Sequence, residues 1–167
     1  MYIEFSPGME VSVTYKLYDV NGNQIHQHDL QDKTAWCQHG EKLEDAFVRL
    51  HGRALGLKIN PEKKQDPCVP DLLNMGTNNL GDLKTQNTPF FQAKSRFGIE
   101  CQHAVVFNSK DRDRYNELYP NIDIYFWVDW QAVSFVGSTT INVNPMVGVW
   151  HIPFQQLNIL LDKASFH

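Results

Sequence analysis

The chain of 167 residues is poor in cysteine and has no long apolar stretch. Its three cysteines, Cys37, Cys68 and Cys101, are widely spaced and odd in number, which predicts reduced thiols rather than a disulfide framework. No apolar run is long enough to span a membrane, and no basic segment followed by an apolar one opens the chain. We therefore expect no membrane anchor, no secretory signal and a cytoplasmic protein.

Motifs of several enzyme classes are also missing. The sequence has no glycine-rich phosphate loop, no nucleophile elbow and no Cys-x-x-Cys pair. The formal net charge of −4 argues against a simple nucleic-acid binder, because phosphate contacts need clustered lysine and arginine. Basic residues nevertheless cluster locally, and the clusters contain Lys58, Lys63, Lys64, Lys94 and Arg96. A further basic run contains Lys110, Arg112 and Arg114, but it alternates with acids, which favours a solvated helix start.

Two carboxylates and a lysine flank a predicted turn near the middle of the chain. Asp71 is followed, after ten intervening residues, by Asp82 and then by Lys84. Apolar-bearing runs on both sides of a Gly/Asn cluster predict a β-hairpin. Glycine at the first central position favours a two-residue type II′ turn at Gly76-Thr77. That turn places Asp71 directly opposite Asp82.

Facing carboxylates predict a bound cation, because like charges directly opposite one another destabilise a strand pair. Side chains alternate along a strand, so Asp82, Lys84 and Gln86 share one face, whereas Leu83 lies on the other. A four-residue loop from Gly76 to Asn79 is the alternative. It would put Asp71 opposite Lys84 in a surface salt bridge of little energetic value.

A third acid lies upstream in a predicted helix that begins near Gly40. Glu44 borders the apolar stripe of this helix, from where it could reach the edge of a packed sheet. The alternative interpretation is that Glu44 and its acidic neighbours only favour the helix N-terminus through the macrodipole. The stripe consists of Leu43, Phe47, Leu50 and Ala54.

The pattern Gly40-x-x-x-Glu44-x-x-Phe47, then Pro70-Asp71, then Asp82-x-Lys84 resembles the PD-(D/E)xK nuclease superfamily. The segment from Gly81 to Thr85 after Pro70-Asp71 is similar to the MutH mismatch-repair nuclease and its restriction-enzyme relatives. The resemblance covers roughly residues 40–86. It implies an α/β restriction-endonuclease-like core, with a central mixed β-sheet flanked by helices.

The resemblance implies a Mg²⁺-dependent endonuclease that acts on double-stranded DNA, of restriction or homing type. Carboxylates that hold one or two Mg²⁺ ions, with Mn²⁺ as a substitute, can activate water and neutralise the phosphate. We expect Asp71, Asp82 and Glu44 as metal ligands, together with the backbone carbonyl of Leu83. Lys84 would orient the attacking water or balance phosphate charge.

Further residues are expected to contact water or DNA. Gln86 could hydrogen-bond a phosphate or a water, and the predicted DNA contacts are Lys63, Lys64, Gln92, Lys94 and Arg96. A second interpretation is that Gln92-Ala93-Lys94 replaces Asp82-x-Lys84 as the second catalytic element, with Asp82 as the first acid. Both interpretations remain open from the sequence.

We expect one domain over residues 1–167, with an N-terminal hairpin extension (1–34) and a catalytic core (35–167). Asn21-Gly22 predicts the turn of that hairpin, between strands from Val11 to Val20 and from Asn23 to about Leu30. The remaining predicted elements are strands over Leu57–Ile59, His103–Asn108, Ile122–Phe135 and Ile141–Ile152 (interrupted at Asn144-Pro145), and helices over Arg112–Leu118 and Phe154–Lys163.

One active site per chain would cut two DNA strands most simply in a homodimer or homotetramer. Two other functions fit the same residues. One is a structure-selective nuclease, such as a Holliday junction resolvase, which would choose its substrate by shape. The other is a DNA-binding or protein-binding module without catalysis, in which the acids are a surface feature of the hairpin.

Overall fold

The computed structural model describes residues 15–25 and 42–163. Within these ranges the chain forms a five-stranded sheet and a four-stranded sheet, with helices packed against the larger one. The predicted α/β class is confirmed at this level. None of the helices in the described ranges combines the length and the apolar character needed to cross a bilayer.

The strands are β1 (Lys16–Tyr18), β2 (Gln24–Ile25), β3 (Leu57–Ile59), β4 (Leu72–Asn74), β5 (Leu80–Gln86), β6 (Asp123–Asp129), β7 (Ser134–Val136), β8 (Thr140–Asn142) and β9 (Val147–Pro153). The helices are α1 (Leu43–Phe47), α2 (Arg53–Leu55), α3 (Ala93–Phe97), α4 (Ser109–Leu118) and α5 (Phe154–Lys163). A π-helical turn (Val48–Gly52) joins α1 to α2, and short 3-10 turns occur at Pro61–Lys64 and Cys101–His103.

The larger sheet has the strand order β3-β4-β5-β6-β9. Strands β5 and β6 are parallel and all other neighbours are antiparallel, so the sheet is mixed, as predicted. A parallel pair needs a crossover connection, and here the crossover contains α3 and α4. Strand β6 is buried on both faces, which explains its nearly unbroken apolar sequence.

Two apolar layers cover the two faces of this sheet. On one face, Phe47 of α1 packs with Leu72, Tyr125 and Trp127. On the other, Tyr115 of α4 and Phe154 of α5 pack with alternate residues of β6, Ile124 and Phe126 among them. The sheet is therefore sandwiched between helices, and the β4–β5 hairpin has one face toward α1 and one toward α4.

The predicted N-terminal hairpin forms, with Leu17 opposite Ile25. Its turn spans Val20 to Gly22, where Gly22 has a positive φ of 80° that only glycine adopts without strain. Strand β1 also pairs with β7, so the smaller sheet has the order β2-β1-β7-β8. The hairpin is thus built into a sheet with strands from the second half of the chain. Residues 1–14 and 26–41, which include the outer parts of the predicted hairpin strands and Gly40, lie outside the described residues.

Strand β3, helices α4 and α5 and the interruption before β9 agree with the sequence predictions, but two predicted strands are wrong. The long strand over Ile122–Phe135 ends at Asp129, where the chain leaves the larger sheet and re-forms as β7 in the smaller one. The expected buried strand over His103–Asn108 is a 3-10 turn followed by irregular chain. Its Val105 and Val106 are about half exposed, so the β-branched run is not a core strand.

The predicted apolar stripe of the upstream helix is only half right. Phe47 is fully buried, but Leu50 is 53% exposed. The π-helical turn adds a residue to that turn of helix and rotates the later positions away from the sheet. Gly52 faces inward instead, and a Cβ there would lie 2.7 Å from the carbonyl oxygen of Leu57. Close approach of the helix to β3 therefore requires glycine at this position.

Candidate functional site

The register of the β4–β5 hairpin agrees with the prediction. Leu72 pairs with Gly81 and Leu73 with Leu80, and one further step in the same register sets Asp71 opposite Asp82. The alternative register, with Asp71 opposite Lys84, is wrong.

The predicted type II′ turn at Gly76-Thr77 is also wrong. The loop runs from Met75 to Asn78, closed by hydrogen bonds from Asn74 N to Asn79 O and from Asn78 N to Asn74 O, both 2.9 Å. The Asn74 side-chain oxygen accepts from two backbone N–H groups inside the loop, which stabilises a wider turn. Asn78 then closes the loop with a φ of 59°.

The strand pairing stops just before Asp71, for a reason that lies in Pro70. Continued by two residues, the register sets Pro70 opposite Leu83, but proline has no N–H to donate. The carbonyl of Pro70 is also engaged elsewhere, since it accepts from Asn60 Nδ2 at 3.0 Å. The Leu83 N–H donates instead to Asp71 Oδ2 at 3.1 Å. Because the N–H and C=O of a strand residue point toward the same edge, the Leu83 carbonyl faces the same side.

One lysine joins two of the predicted metal ligands. The Lys63 ammonium donates to Glu44 Oε1 at 3.2 Å and to Asp71 Oδ1. These residues come from α1, from the Pro61–Lys64 turn and from the residue that precedes β4. The structure thus brings Glu44 to Asp71 as predicted. Lys63, predicted to contact DNA, is 18% exposed and bound to both acids.

The environment shifts the pKa values of these groups in different directions. Burial and the nearby charge of Asp82 raise the pKa of Asp71, and they outweigh the opposing effects of Lys63 and the Leu83 N–H. Burial also acts to raise the pKa of Glu44, but a backbone hydrogen bond and Lys63 lower it overall. The pKa of Lys63 is raised, because its two acids outweigh its burial.

A second ionic cluster lies on the α4 face of β5. Lys84 Nζ is 2.7 Å from Asp82 Oδ2 and 2.6 Å from Asp111 Oδ2. Arg114 Nη2 approaches Asp82 Oδ1 at 3.6 Å and Asp111 Oδ1 at 3.5 Å. The Tyr115 ring lies beneath both cations, 5.5 Å from Lys84 Nζ and 4.9 Å from the Arg114 guanidinium carbon. Asp82 is thus buried but ion-paired.

Lys84 is held firmly in its charged form. Burial opposes ionisation, but the negative charge of Asp82 outweighs it and raises the pKa of Lys84 well above its ordinary value. Burial and the Asp82 carboxylate likewise raise the pKa of Tyr115. At neutral pH this group can neutralise or orient a partner but cannot accept a proton.

The sequence did not single out the contribution of α4 to this cluster. Arg114 and Tyr115 lie three and four residues after Asp111, so each is a neighbour of Asp111 on the helix surface. Their segment has alternating charges, which are typical of a solvated helix start. The connection between β5 and β6 could have indicated this contact, because a helix that joins two parallel strands packs on their sheet. Here the helix packs on the face that carries Asp82 and Lys84.

Gln86 lies on the predicted face, but its amide is bound to the backbone. Its Nε2 donates to the carbonyls of Thr88 and Ala104, at 3.0 and 3.4 Å, and its Oε1 accepts from the Val106 N–H at 3.1 Å. The amide is thus held by the backbone of this loop, and its predicted hydrogen bond to a phosphate or a water stays a prediction. Between Lys84 and this loop lies a cavity of about 450 Å³, whose lining includes Thr88, Phe90 and Asn108.

The alternative catalytic element Gln92-Ala93-Lys94 lies outside β5. Gln92 is the N-cap of α3 and Lys94 lies within that helix, so they do not continue the strand that carries Asp82. Lys94 is exposed and paired with Glu100 at 2.6 Å. Arg96 and Lys64 are also exposed, which leaves their predicted DNA contacts untested.

The two clusters together hold the acids Glu44, Asp71, Asp82 and Asp111 and the bases Lys63, Lys84 and Arg114. When all are ionised, one negative charge is uncompensated. In the described part of the chain, no three His, Cys, Asp or Glu side chains converge closely enough to hold a metal as they stand. Yet Glu44 and Asp71 already share one cation, and carboxylates with a backbone carbonyl are typical Mg²⁺ ligands.

The donor set therefore fits a hard divalent cation in its chemistry, with Lys63 between two of the donors.

Comparisons of the chain with protein-family models, with curated proteins and with solved structures give no match.

Proposed function

We propose that this protein is a Mg²⁺-dependent endodeoxyribonuclease that hydrolyses phosphodiester bonds in double-stranded DNA, of restriction or homing type. The observation that carries the proposal is that Glu44 and Asp71 bind the same ammonium group, that of Lys63. This pair of acids lies beside the ion pair of Asp82 and Lys84. The order of α1, the β3–β4–β5 meander, α4 and the parallel strand β6 supports a restriction-endonuclease-like core.

Four groups would hold the metal: the carboxylates of Glu44, Asp71 and Asp82, and the Leu83 carbonyl. When bound, one or two Mg²⁺ ions, or Mn²⁺ in their place, supply an activated water and neutralise phosphate charge. The Asp71–Leu83 hydrogen bond supports this ligand set, because it directs the carboxylate and the carbonyl to the same side of β5.

Lys84 supplies a fixed positive charge. Asp82 and Asp111 hold its ammonium over the rings of Phe107 and Tyr115, at 5.9 and 5.5 Å from their centroids. The cavity of about 450 Å³ next to Lys84 has room for part of a nucleotide. In this position the ammonium would neutralise the phosphate and orient the attacking water.

Exposed basic residues would supply sequence-independent DNA contacts, since phosphate binding depends on lysine and arginine. Lys64, Lys94 and Arg96 are the candidates, with Gln92 at the start of α3. Cutting both strands would use a homodimer or homotetramer, which gives one active site per strand. The proposed location is the cytoplasm, where the thiols of Cys68 and Cys101 stay free.

A binding module without catalysis is the second candidate function. The observation that favours it is that Glu44, Asp71, Asp82 and Asp111 each have a basic partner, so every acid of the two clusters is ion-paired without a metal. In that case the acids only hold α1, the hairpin and α4 together. Magnesium would then change neither the stability of the protein nor its affinity for a partner.

Plasmid cleavage with magnesium or with chelator tests the proposal. Wild type should give metal-dependent products, and Asp82→Asn and Lys84→Met should lower the rate by about a hundredfold or more. Asp113→Asn is the matched control, since Asp113 is an exposed acid on α4 that should leave the rate unchanged. A thermal melt of each protein, with and without magnesium, checks folding and metal binding.

If folded wild type with magnesium cleaves neither plasmid, linear duplex nor branched DNA, and its melt does not respond to the metal, the nuclease proposal is wrong. The binding module is then the better explanation. Much faster cleavage of branched than of linear DNA with the same sequence would instead indicate a structure-selective nuclease.

A further inference from the structure

The Lys63 ammonium occupies the position between two carboxylates that approach it from different elements. It contacts Glu44 Oε1 and Asp71 Oδ1, and it is only 18% exposed. A divalent cation held by Glu44 and Asp71 would need the same carboxylate oxygens. Two cations cannot share so small a space at low cost, because they repel strongly where water is partly excluded.

The turn that carries Lys63 is fastened to the strand end that carries Asp71. Asn60, 2% exposed, donates from Nδ2 to Pro70 O at 3.0 Å and from its backbone N to Asp71 O at 2.9 Å. Its Oδ1 accepts from Glu62 N at 3.2 Å and caps the turn. Asn60 thus fixes the backbone of the turn, whereas the ammonium of Lys63 is joined to that backbone only through a flexible four-carbon stem.

The adjacent Lys64 gives an internal comparison. It lies on the same turn and carries the same charge, but it is exposed, whereas Lys63 is directed at the two acids. A lysine ammonium is a compact charge on a flexible four-carbon stem, so it can leave an ion pair without movement of the backbone. The geometry of Lys63 therefore suits an ammonium group that another cation can replace between the two carboxylates.

We propose that Lys63 is a displaceable internal cation: it neutralises Glu44 and Asp71 in the metal-free protein, a divalent metal replaces it there, and the released ammonium binds a phosphate of the DNA. This inference rests on the proposed function, because it needs the metal site. It makes Lys63 a positioning residue before metal binding and a substrate contact afterwards. It also reconciles the predicted DNA contact with the observed ion pairs.

Binding of Mg²⁺ without DNA, measured by calorimetry, tests the competition. Removal of the competing ammonium in Lys63→Met should raise the affinity for Mg²⁺ about tenfold, while Lys64→Met should leave it unchanged. An equal or lower affinity of Lys63→Met would overturn the proposal.

Amine labelling of wild type needs no substitution and so does not depend on the folding of a variant. Treatment with an amine-acetylating reagent, followed by mass spectrometry, should label Lys63 slowly in chelator and several times faster with Mg²⁺. Lys64 should be labelled at the same rate in both conditions. Protection of Lys63 that is unchanged by a saturating metal concentration would contradict displacement.

DNA binding provides the second half of the test. With Ca²⁺ replacing Mg²⁺ to prevent cleavage, Lys63→Met should bind duplex DNA more weakly, with a salt dependence reduced by about one phosphate contact. Metal-dependent cleavage by wild type together with metal-independent Lys63 labelling would overturn this inference and leave the nuclease intact. Failure of wild type and both variants to bind Mg²⁺ would overturn both.

Discussion

Asp71 accepts a hydrogen bond from the backbone N–H of Leu83 across the strand pair, with 3.1 Å between Oδ2 and the nitrogen. The carboxylate thus replaces the Pro70 carbonyl as the acceptor for this N–H, because that carbonyl accepts from Asn60 Nδ2 instead. A residue of the candidate site therefore also completes the hydrogen bonding of the central hairpin. Any substitution of Asp71 must be tested for its effects on stability as well as on activity.

Asp71→Asn should stabilise the metal-free protein at neutral pH. Asparagine retains an oxygen that can accept from Leu83 but removes the buried charge. Burial and Asp82 raise the pKa of Asp71 above its ordinary value of 3.8. At neutral pH the ionised form of Asp71 therefore lowers the free energy of unfolding of the wild type. The gain should be present near pH 7 and should vanish as the pH falls to about 4, where wild-type Asp71 is protonated in the unfolded chain as well. Urea unfolding in chelator measures it.

Glu44→Gln is the matched comparison and should have the opposite sign. The folded-state pKa of Glu44 is lowered by its backbone hydrogen bond and by Lys63, which outweigh its burial. Its carboxylate therefore contributes stability above the unfolded pKa, and this stability is lost as the pH falls through the folded pKa. If both variants are destabilised at neutral pH, Lys63 pairing outweighs the burial of Asp71 and its repulsion by Asp82.

Lys84→Met should destabilise the protein by about 3 kcal/mol, because it leaves buried Asp82 and half-buried Asp111 without their shared cation. Addition of Asp111→Asn to Lys84→Met should restore part of that loss, since one of the two repelling charges is removed. Urea unfolding of the single and double variants measures the coupling. Lys58→Met, at an exposed position of β3, should change the stability by less than about 0.5 kcal/mol.

A loss after Lys84→Met no larger than that of the Lys58→Met control would contradict this prediction. It would mean that Arg114 alone compensates both acids.

The part of the site that the sequence predicted is the part encoded by local spacing. Strand alternation and the hairpin register brought Asp82, Lys84 and Asp71 together, and the register held although the turn itself was wrong. The predicted register was right because the observed loop is centred on the same residues as the predicted turn. It closes at Asn74 and Asn79, which the predicted turn would also have paired.

The partners from distant segments were not predictable in the same way. Lys63 and Asp111 reach the site from a 3-10 turn and from a crossover helix. Local periodicity carries no information on such long-range contacts. The strand predicted around Val106 was wrong for a related reason. The backbone N–H of Val106 donates to the side chain of Gln86 rather than to a neighbouring strand.

Gln86→Leu should test whether this amide is structural. The substitution removes the hydrogen bonds to Thr88, Ala104 and Val106, and the groups left unsatisfied should cost about 2 kcal/mol. Cleavage measured well below the melting temperature should stay within a few-fold of wild type. Gln92→Leu, an exposed glutamine, is the control for stability.

A Gln86→Leu protein that is fully folded but inactive would reverse this interpretation. The amide would then contact water or phosphate, as the sequence had suggested.

Gly52→Ala should separate the helix that carries Glu44 from the sheet. The added methyl would lie 2.7 Å from Leu57 O and 2.9 Å from Val48 Cγ1, so the π-helical turn must shift away from β3 at a cost of about 2 kcal/mol. The same shift would move α1 and weaken the meeting of Glu44 with Asp71, so magnesium affinity should fall with stability. Arg53→Ala, at the next and exposed position, should change neither quantity. Urea unfolding measures the stability, and calorimetry measures the affinity for Mg²⁺. An unchanged affinity for Mg²⁺ in a destabilised Gly52→Ala protein would exclude Glu44 from the metal site.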